Sequence, residues 1–430
     1  MKTRRIHILF AILVLLAASC RKDEIVIAPP GPTNPSTGQE KPKEPVTSQD
    51  KPGRGVFPGT LQTLARVYIE TPGQVGITSK HNWVWPCSIR ILGDENSILF
   101  ESDSLRIKGR GNSTWYNFPK KPYALKLNRQ ADLFGTGKSK RYVLLANWMD
   151  RTLLRNDVAF EAARRTSLDW TPSGTFVELY LNGRHQGNYW LGEKVDVEDS
   201  KFSADFLFSF DTSDNSETDF YTPFGYRPNT KEKGLPVEVK YPDRDNYEIN
   251  AFQNVLSQAK DKLAVLGNAI QSRQYGDILD LDSFCDWYLV HELTWNLEPN
   301  HPKSCYIHVR DGKFIAGPVW DFDWYTFIPG ETGLGISNSL YYGDLLADPV
   351  FKAHLKERWK ALRPGFATLG DYIDSQAARI QASVETDKRL WPCSSTVNGD
   401  ESLPFTSAVN RLKQALEKRI ENLDQVMERL

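Results

Sequence analysis

The segment Gly317-Pro318-Val319-Trp320-Asp321-Phe322-Asp323-Trp324 sets two carboxylates two residues apart inside an apolar, aromatic run. In a strand, residues i and i+2 share a face. The spacing therefore predicts Asp321 and Asp323 on one side, with Trp320, Phe322 and Trp324 on the other. Aspartate is depleted from strands and rarely buried without a partner. A pair held this way suits a bound cation or a proton-transfer site. A strand end whose carboxylates cap the next turn is the other reading of the same spacing.

Cations lie upstream. Lys108-Gly109-Arg110-Gly111-Asn112-Ser113 places two of them around glycines that let a backbone approach a ligand closely. Pro119-Lys120-Lys121-Pro122-Tyr123-Ala124-Leu125-Lys126 follows. If Tyr123 to Leu127 is a strand, Tyr123, Leu125 and Leu127 share one face, and Ala124 and Lys126 the other. A lysine projecting there can hold phosphate oxygens as a point charge, or it can be a snorkelling surface side chain. Glu193-Lys194 ends another apolar run, and Asn296-Leu297-Glu298-Pro299-Asn300 precedes Lys303. Together these supply carboxylates, an amide, phosphate-binding cations and a proton acceptor, the set that phosphoryl transfer needs.

The elements that must carry these groups read as strands first and helices later. Short apolar runs predict strands at Ala65–Glu70, Cys87–Leu92, Leu105–Lys108, Tyr123–Leu127, Arg141–Ala146, Phe206–Phe210 and Val237–Tyr241. Asn182-Gly183 predicts a hairpin turn between Phe176–Leu181 and Asn188–Val195. A second hairpin, Cys305–Val309 and Lys313–Val319, turns at Asp311-Gly312 and delivers the carboxylate pair at its end. Helical periodicity covers Leu153–Arg165, Ala251–Leu266, Leu281–Leu293, Pro349–Leu362 and Phe405–Leu430. The fold class is α+β: a strand-rich N-terminal portion, a helical C-terminal portion and a cleft between them.

Three tempting motifs fail. Gly135-Thr136-Gly137-Lys138-Ser139 has the tail of a phosphate-binding loop, but Asp132 stands where a glycine is needed and a strand follows. His291-Glu292 lacks the second histidine of a zincin helix. Gly109-Arg110-Gly111 lacks the rest of a dinucleotide fingerprint.

The chain has 430 residues, 40% of them apolar, and a net charge of −1, which gives no sign of a nucleic-acid partner. Its N-terminus predicts targeting. Lys2, Arg4 and Arg5 precede an apolar run from Ile8 to Leu16, and Ala17-Ala18-Ser19 precede Cys20. This pattern resembles a lipoprotein signal, with residues 1–19 removed and Cys20 lipidated. It implies a membrane tether in the cell envelope, at the outer membrane, facing the periplasm or the surface. Residues 20–58 are rich in Pro, Gly, Ser, Thr and Lys and predict a flexible stalk; residues 59–430 form the domain. Cys87, Cys285, Cys305 and Cys393 match no zinc spacing. The Trp-Pro-Cys context shared by Cys87 and Cys393 suggests a bridge between them.

Arg110-Gly111-Asn112-Ser113, Lys120-Lys121-Pro122-Tyr123, Tyr180-Leu181-Asn182-Gly183, Gly187, Glu193-Lys194 and Trp320-Asp321-Phe322-Asp323 stand in one order along the chain. That ordered set resembles the spore-coat protein H (CotH-like) kinase family, in a form similar to predicted surface lipoproteins of Bacteroidetes, over roughly Leu61 to Pro364. The resemblance implies an atypical, reduced protein-kinase-like fold that binds ATP with Mg²⁺ or Mn²⁺ and phosphorylates a protein or other surface acceptor. It implies metal ligands among Asp321, Asp323 and Asn296, and phosphate or nucleotide contacts from Lys108, Arg110, Asn112, Lys121, Lys126 and Glu193. The family's catalytic loop resembles Asn-x-Asp, whereas this chain has Asn296-Leu297-Glu298. One extra methylene moves the acceptor oxygen by about 1 Å, so either Glu298 is the base in a shifted geometry or the protein binds nucleotide without efficient transfer. A surface-binding protein on a retired kinase scaffold is the rival. A hydrolase using paired carboxylates is weaker, with no second acid at a defined spacing.

Overall fold

The computed structural model describes residues 56–57, 61–198, 201–213 and 217–430. These lie within one contiguous unit, Pro52–Leu430. The leader, Cys20 and nearly all of the stalk fall outside the described residues.

Alternating burial produces the first layer. Strand β1 (Ala65–Glu70) alternates buried and half-buried residues along its length, the period-2 pattern of a strand with one face on a core. Strands β2 (Val84–Leu92), β3 (Ile98–Gly109), β4 (Tyr123–Ala131), β5 (Ser139–Leu145), β6 (Gly174–Leu181) and β7 (Arg184–Glu193) follow. They close a seven-stranded barrel in the order β1-β2-β3-β4-β5-β7-β6. The closing seam is parallel, with Val67 opposite Leu179 and Ile69 opposite Leu181. Closure leaves no open edge. Val67, Ile69, Ile89, Ile91, Ile107, Leu125, Leu144 and Leu191 fill the interior. Tyr123, Leu125 and Leu127 point inward as their alternation requires, which leaves Lys126 outside.

Short helix α1 (Ser113–Asn117) sits between β3 and β4, and α2 (Arg155–Arg164) between β5 and β6. Strand β8 (Phe206–Phe210) starts a second sheet. It is followed by three two-residue strands, β9 (Phe220–Tyr221), β10 (Tyr226–Arg227) and β11 (Glu232–Lys233), and by β12 (Pro236–Tyr241). With β13 (Cys305–Arg310) and β14 (Lys313–Ala316), the second sheet runs β14-β13-β8-β12-β9. The helical layer comprises α3 (Ile249–Ser272), α4 (Leu281–Thr294), α5 (Tyr342–Leu346), α6 (Pro349–Ala367), α7 (Leu369–Leu390) and α8 (Phe405–Arg429). Helix α4 is buried from Ser283 through Thr294, on every face, so it forms the axis of the larger core. The apolar stripe of α8 packs into that core through Val409, Leu412, Leu416, Ile420, Leu423 and Met427.

Four expectations need correction. Strand β14 ends at Ala316, so Trp320 to Trp324 is irregular backbone rather than strand, and Asp321 adopts φ 69°. Val56 and Phe57, read as stalk, belong to the fold. Their amides donate to the carbonyls of Asp132 and Leu133, and Phe57 stacks on Phe134. Cys87 and Cys393 are free thiols, Cys87 buried in the barrel and Cys393 in the loop after α7. Helix α7 has no counterpart in the sequence reading. Its inward positions include Ser383 and Asp387, which dilute the apolar period.

The rejected phosphate-loop motif is a closed turn. The Asp132 carboxylate accepts from the amides of Gly135, Thr136 and Gly137, occupying the donors a phosphate would use.

Candidate active site

A cleft of about 670 Å³ opens where the barrel rim meets the second sheet and the loops after α4, β14 and α7. Arg110, Asn112 and α1 line one side; Asp211, Glu298, Lys303 and Tyr306 line another; Trp320, Asp321, Asp323 and Trp324 form a third.

Each acidic group is held by its local backbone. Helix α4 ends at Trp295 in the left-handed conformation. The next residue, Asn296, is fully buried. Its Oδ1 accepts from the Glu298 amide at 3.0 Å, and its Nδ2 donates to the Asp321 carbonyl at 2.9 Å. One amide side chain thus fixes the Glu298 loop against the aspartate segment. Asp321 takes the positive φ that Asp tolerates better than most residues, and this turn replaces strand alternation as the reason both aspartates reach the cleft. Between them Phe322 points into the core against Phe160 and His291, and its amide donates to Asn156 Oδ1 at 2.7 Å. Asn398, from the loop after α7, donates to the Asp323 carbonyl at 2.9 Å and to the Met149 carbonyl at 3.1 Å. Asp211 bridges the Ser213 and Ser304 amides, tying the end of β8 to the start of β13.

The electrostatics are those of crowded carboxylates. Burial raises Asp321 above the usual carboxylate range, Arg110 opposes the shift, and Asp211 adds to it. Asp323 lies well above that range through burial, then through Asp321 and Asp150. Glu298 is pushed up to about 8 by burial and by Asp321, with Lys303 opposing. Arg110 stacks over Trp320, 5.4 Å from the ring centroid. Burial lowers its pKa, and Asp321, Tyr306 and Asp323 hold it charged.

The cleft thus gathers Arg110, Asn112, Glu298, Asp321 and Asp323 from the sequence-derived candidates. Asn296 stands behind it and acts through its two hydrogen bonds. The remaining candidates lie elsewhere. Lys108 leaves β3 on the outer barrel face, with its ammonium 4.8 Å from the Trp83 ring centroid. Lys121 donates to the Trp115 carbonyl at 2.6 Å. Lys126 lines a separate surface hollow beside Arg141, Glu198 and Asp243. Glu193 is buried, accepting from Thr136 Oγ1 and the Ser173 amide, both at 2.9 Å. Asn112 Oδ1 is occupied by Lys80 Nζ at 2.5 Å. Asp211, Tyr306 and the Ser394–Val397 loop are additions that the sequence reading lacks. The one signal for Asp211 was its place at the end of the Phe206–Phe210 strand.

The donor set tests a cation. Asp211, Glu298, Asp321 and Asp323 offer only oxygen ligands, the preference of a hard divalent ion, and such an ion would replace the protons that crowding retains on Glu298, Asp321 and Asp323. Among the described residues no three His, Cys, Asp or Glu side chains are already drawn to ligand distance. The fit therefore rests on donor chemistry.

The fold is α+β, a closed barrel with a helical layer, and its cleft combines one arginine with four carboxylates. Residues 105–423 match the family described as CotH kinase protein, and the chain belongs to that family. The match runs from β3 into α8 and contains every cleft residue named above. No curated protein matches the chain.

Proposed function

We propose that the protein is a metal-dependent phosphotransferase with a reduced protein-kinase-like fold, using ATP with Mg²⁺ or Mn²⁺. The supporting observation is the convergence of Arg110 with Asp211, Glu298, Asp321 and Asp323 on one cleft in a CotH kinase family chain. Asp321 and Asp323 are the proposed metal ligands, with Asp211 beside them. A bound divalent ion would neutralise charge on the phosphates and on the aspartates. Arg110, placed over the Trp320 ring, presents its guanidinium to phosphate oxygens. Glu298 accepts the proton of the acceptor hydroxyl once the negative charge beside it is neutralised. Until then its pKa of about 8 keeps it protonated at neutral pH. That protonation favours one rival reading, a nucleotide-binding surface protein without efficient transfer. Cys20 is proposed as the lipid attachment point, placing the domain in the cell envelope at the outer membrane, with a protein or other surface molecule as acceptor.

Calorimetry with ATP and Mg²⁺ or Mn²⁺ tests the site. Binding is expected for the wild type and lost in Asp321→Ala and Asp323→Ala; no binding by the wild type sinks the proposal. Labelled phosphate appearing on an acceptor separates the enzyme from the non-catalytic binder. Palmitate incorporation lost in Cys20→Ala tests the anchor.

A further inference from the structure

The Lys120 side chain is fully buried although it carries an amine, and the cleft makes no use of it. Its Nζ lies 2.7 Å from Asp387 Oδ1 on α7, with side-chain exposures of 0% and 9%. The ammonium also donates to the Asn188 carbonyl and sits 4.7 Å from the Tyr189 ring centroid. On the acid side, the Asn188 amide donates to Asp387 Oδ1 at 3.0 Å. Gly187 leaves room for that oxygen, which a Cβ at the position would overlap. A second acid is near. Glu178 faces Asn188 across the β6–β7 pair and acts electrostatically on both Lys120 and Asp387. Its carboxylate is in turn held by His185 Nε2 at 2.5 Å.

We propose that Lys120 and Asp387 condense into an intramolecular isopeptide bond that joins the barrel to α7. A buried amine and carboxyl in contact, one backbone amide on the carbonyl oxygen and one acid alongside are the parts that amide formation needs. Burial lowers the Lys120 pKa and raises that of Asp387, so both partners are pushed toward the neutral forms that react. Nζ attacks Cγ of the protonated carboxyl, and the Asn188 amide stabilises the oxyanion that forms on Oδ1. The Nζ–Cγ bond forms and the other Cγ–O bond breaks. Glu178 relays one proton from the amine to the leaving oxygen, which already carries the carboxyl proton and departs as water. No electrons are exchanged, so no oxidant or reductant is required. Fixed contact between the reacting groups supplies the effective concentration, and exclusion of water opposes the reverse hydrolysis. The link would span the chain from Lys120 to Asp387 in a protein whose described cysteines are all free.

Mass spectrometry of the full chain, denatured and reduced, tests the proposal. The expected result is a polypeptide lighter than its sequence by one water, and a branched tryptic peptide joining the segments that contain Lys120 and Asp387. Lys120→Met should restore the sequence mass, and Glu178→Gln should leave most molecules unlinked. A wild-type protein at its full sequence mass, with the two peptides separate, overturns the proposal even if the variants do not fold. Efficient linkage in Glu178→Gln removes Glu178 from the reaction.

Discussion

Glu298 offers a measurable cost at the heart of the cleft. The residue is 8% exposed and its pKa rises from 4.5 to about 8 on folding, by burial and then by Asp321. The folded protein therefore holds this proton to higher pH than the unfolded chain does. Stability falls as pH rises across the window from about 4.5 to 8, and the loss is complete above it. At pH 7 the difference amounts to about 3.5 kcal/mol, from roughly 2.5 pH units at about 1.4 kcal/mol each. Glu298→Gln keeps the shape and removes the titration. Urea unfolding of both proteins in chelator, at several pH values between about 4 and 8, isolates the effect from any fixed offset of the substitution. The variant's advantage should be flat below pH 4.5 and climb by about 3.5 kcal/mol by pH 7. Parallel curves, or an advantage that shrinks as pH rises, would refute a strained, proton-holding Glu298. Divalent cation should flatten the wild-type slope if it neutralises the same cluster.

His291 carries the opposite dependence. Burial holds its pKa near 3 against an ordinary 6.5, so stability should fall as pH drops below 6.5, by about 2 kcal/mol at pH 5. An acid unfolding titration should lose that slope in His291→Leu. Arg110→Met should weaken ATP binding by calorimetry roughly tenfold to a hundredfold, since a charge-assisted hydrogen bond contributes about 1.5–3 kcal/mol. Unchanged affinity would remove Arg110 from the phosphate site. Asn296→Ala strands two buried partners, the Glu298 amide and the Asp321 carbonyl, and should destabilise the fold by about 1–3 kcal/mol while lowering turnover more than ATP affinity. Gly187→Ala should lower the melting temperature, because Gly187 holds φ 86° and an added Cβ displaces Asp387.

Most elements were legible because local pattern and tertiary burial agree. Strands β1 and β8 match their sequence ranges, and the Asn182-Gly183 turn formed where its dipeptide indicated. Barrel closure was not legible: the pairing of β1 with β6 joins segments more than a hundred residues apart, and no local signal encodes it. Asp321 and Asp323 both line the cleft, but not for the geometric reason their spacing suggested. Alternation along a strand would place them on one face, whereas a left-handed turn at Asp321 and two asparagine clamps do so here. The lysines mislead because charge is visible in sequence and direction is not. Lys108 and Lys126 obey the β period and therefore point away from the barrel interior, and neither lines the cleft. Glu193, next to Lys194, is consumed by Thr136 and the Ser173 amide.

The parallel seam gives the barrel a mechanical character. Any pull applied through the N-terminal segment enters the domain at Val56 and Phe57, which two backbone hydrogen bonds attach to Asp132 and Leu133, and then reaches β1. Five residue pairs to β2 on one side and five to β6 on the other hold that strand along its length. Tension running along β1 loads both rows in shear, so the bonds must yield together instead of unzipping in turn. The strand nearest the N-terminal segment is thereby the one best placed to resist drag.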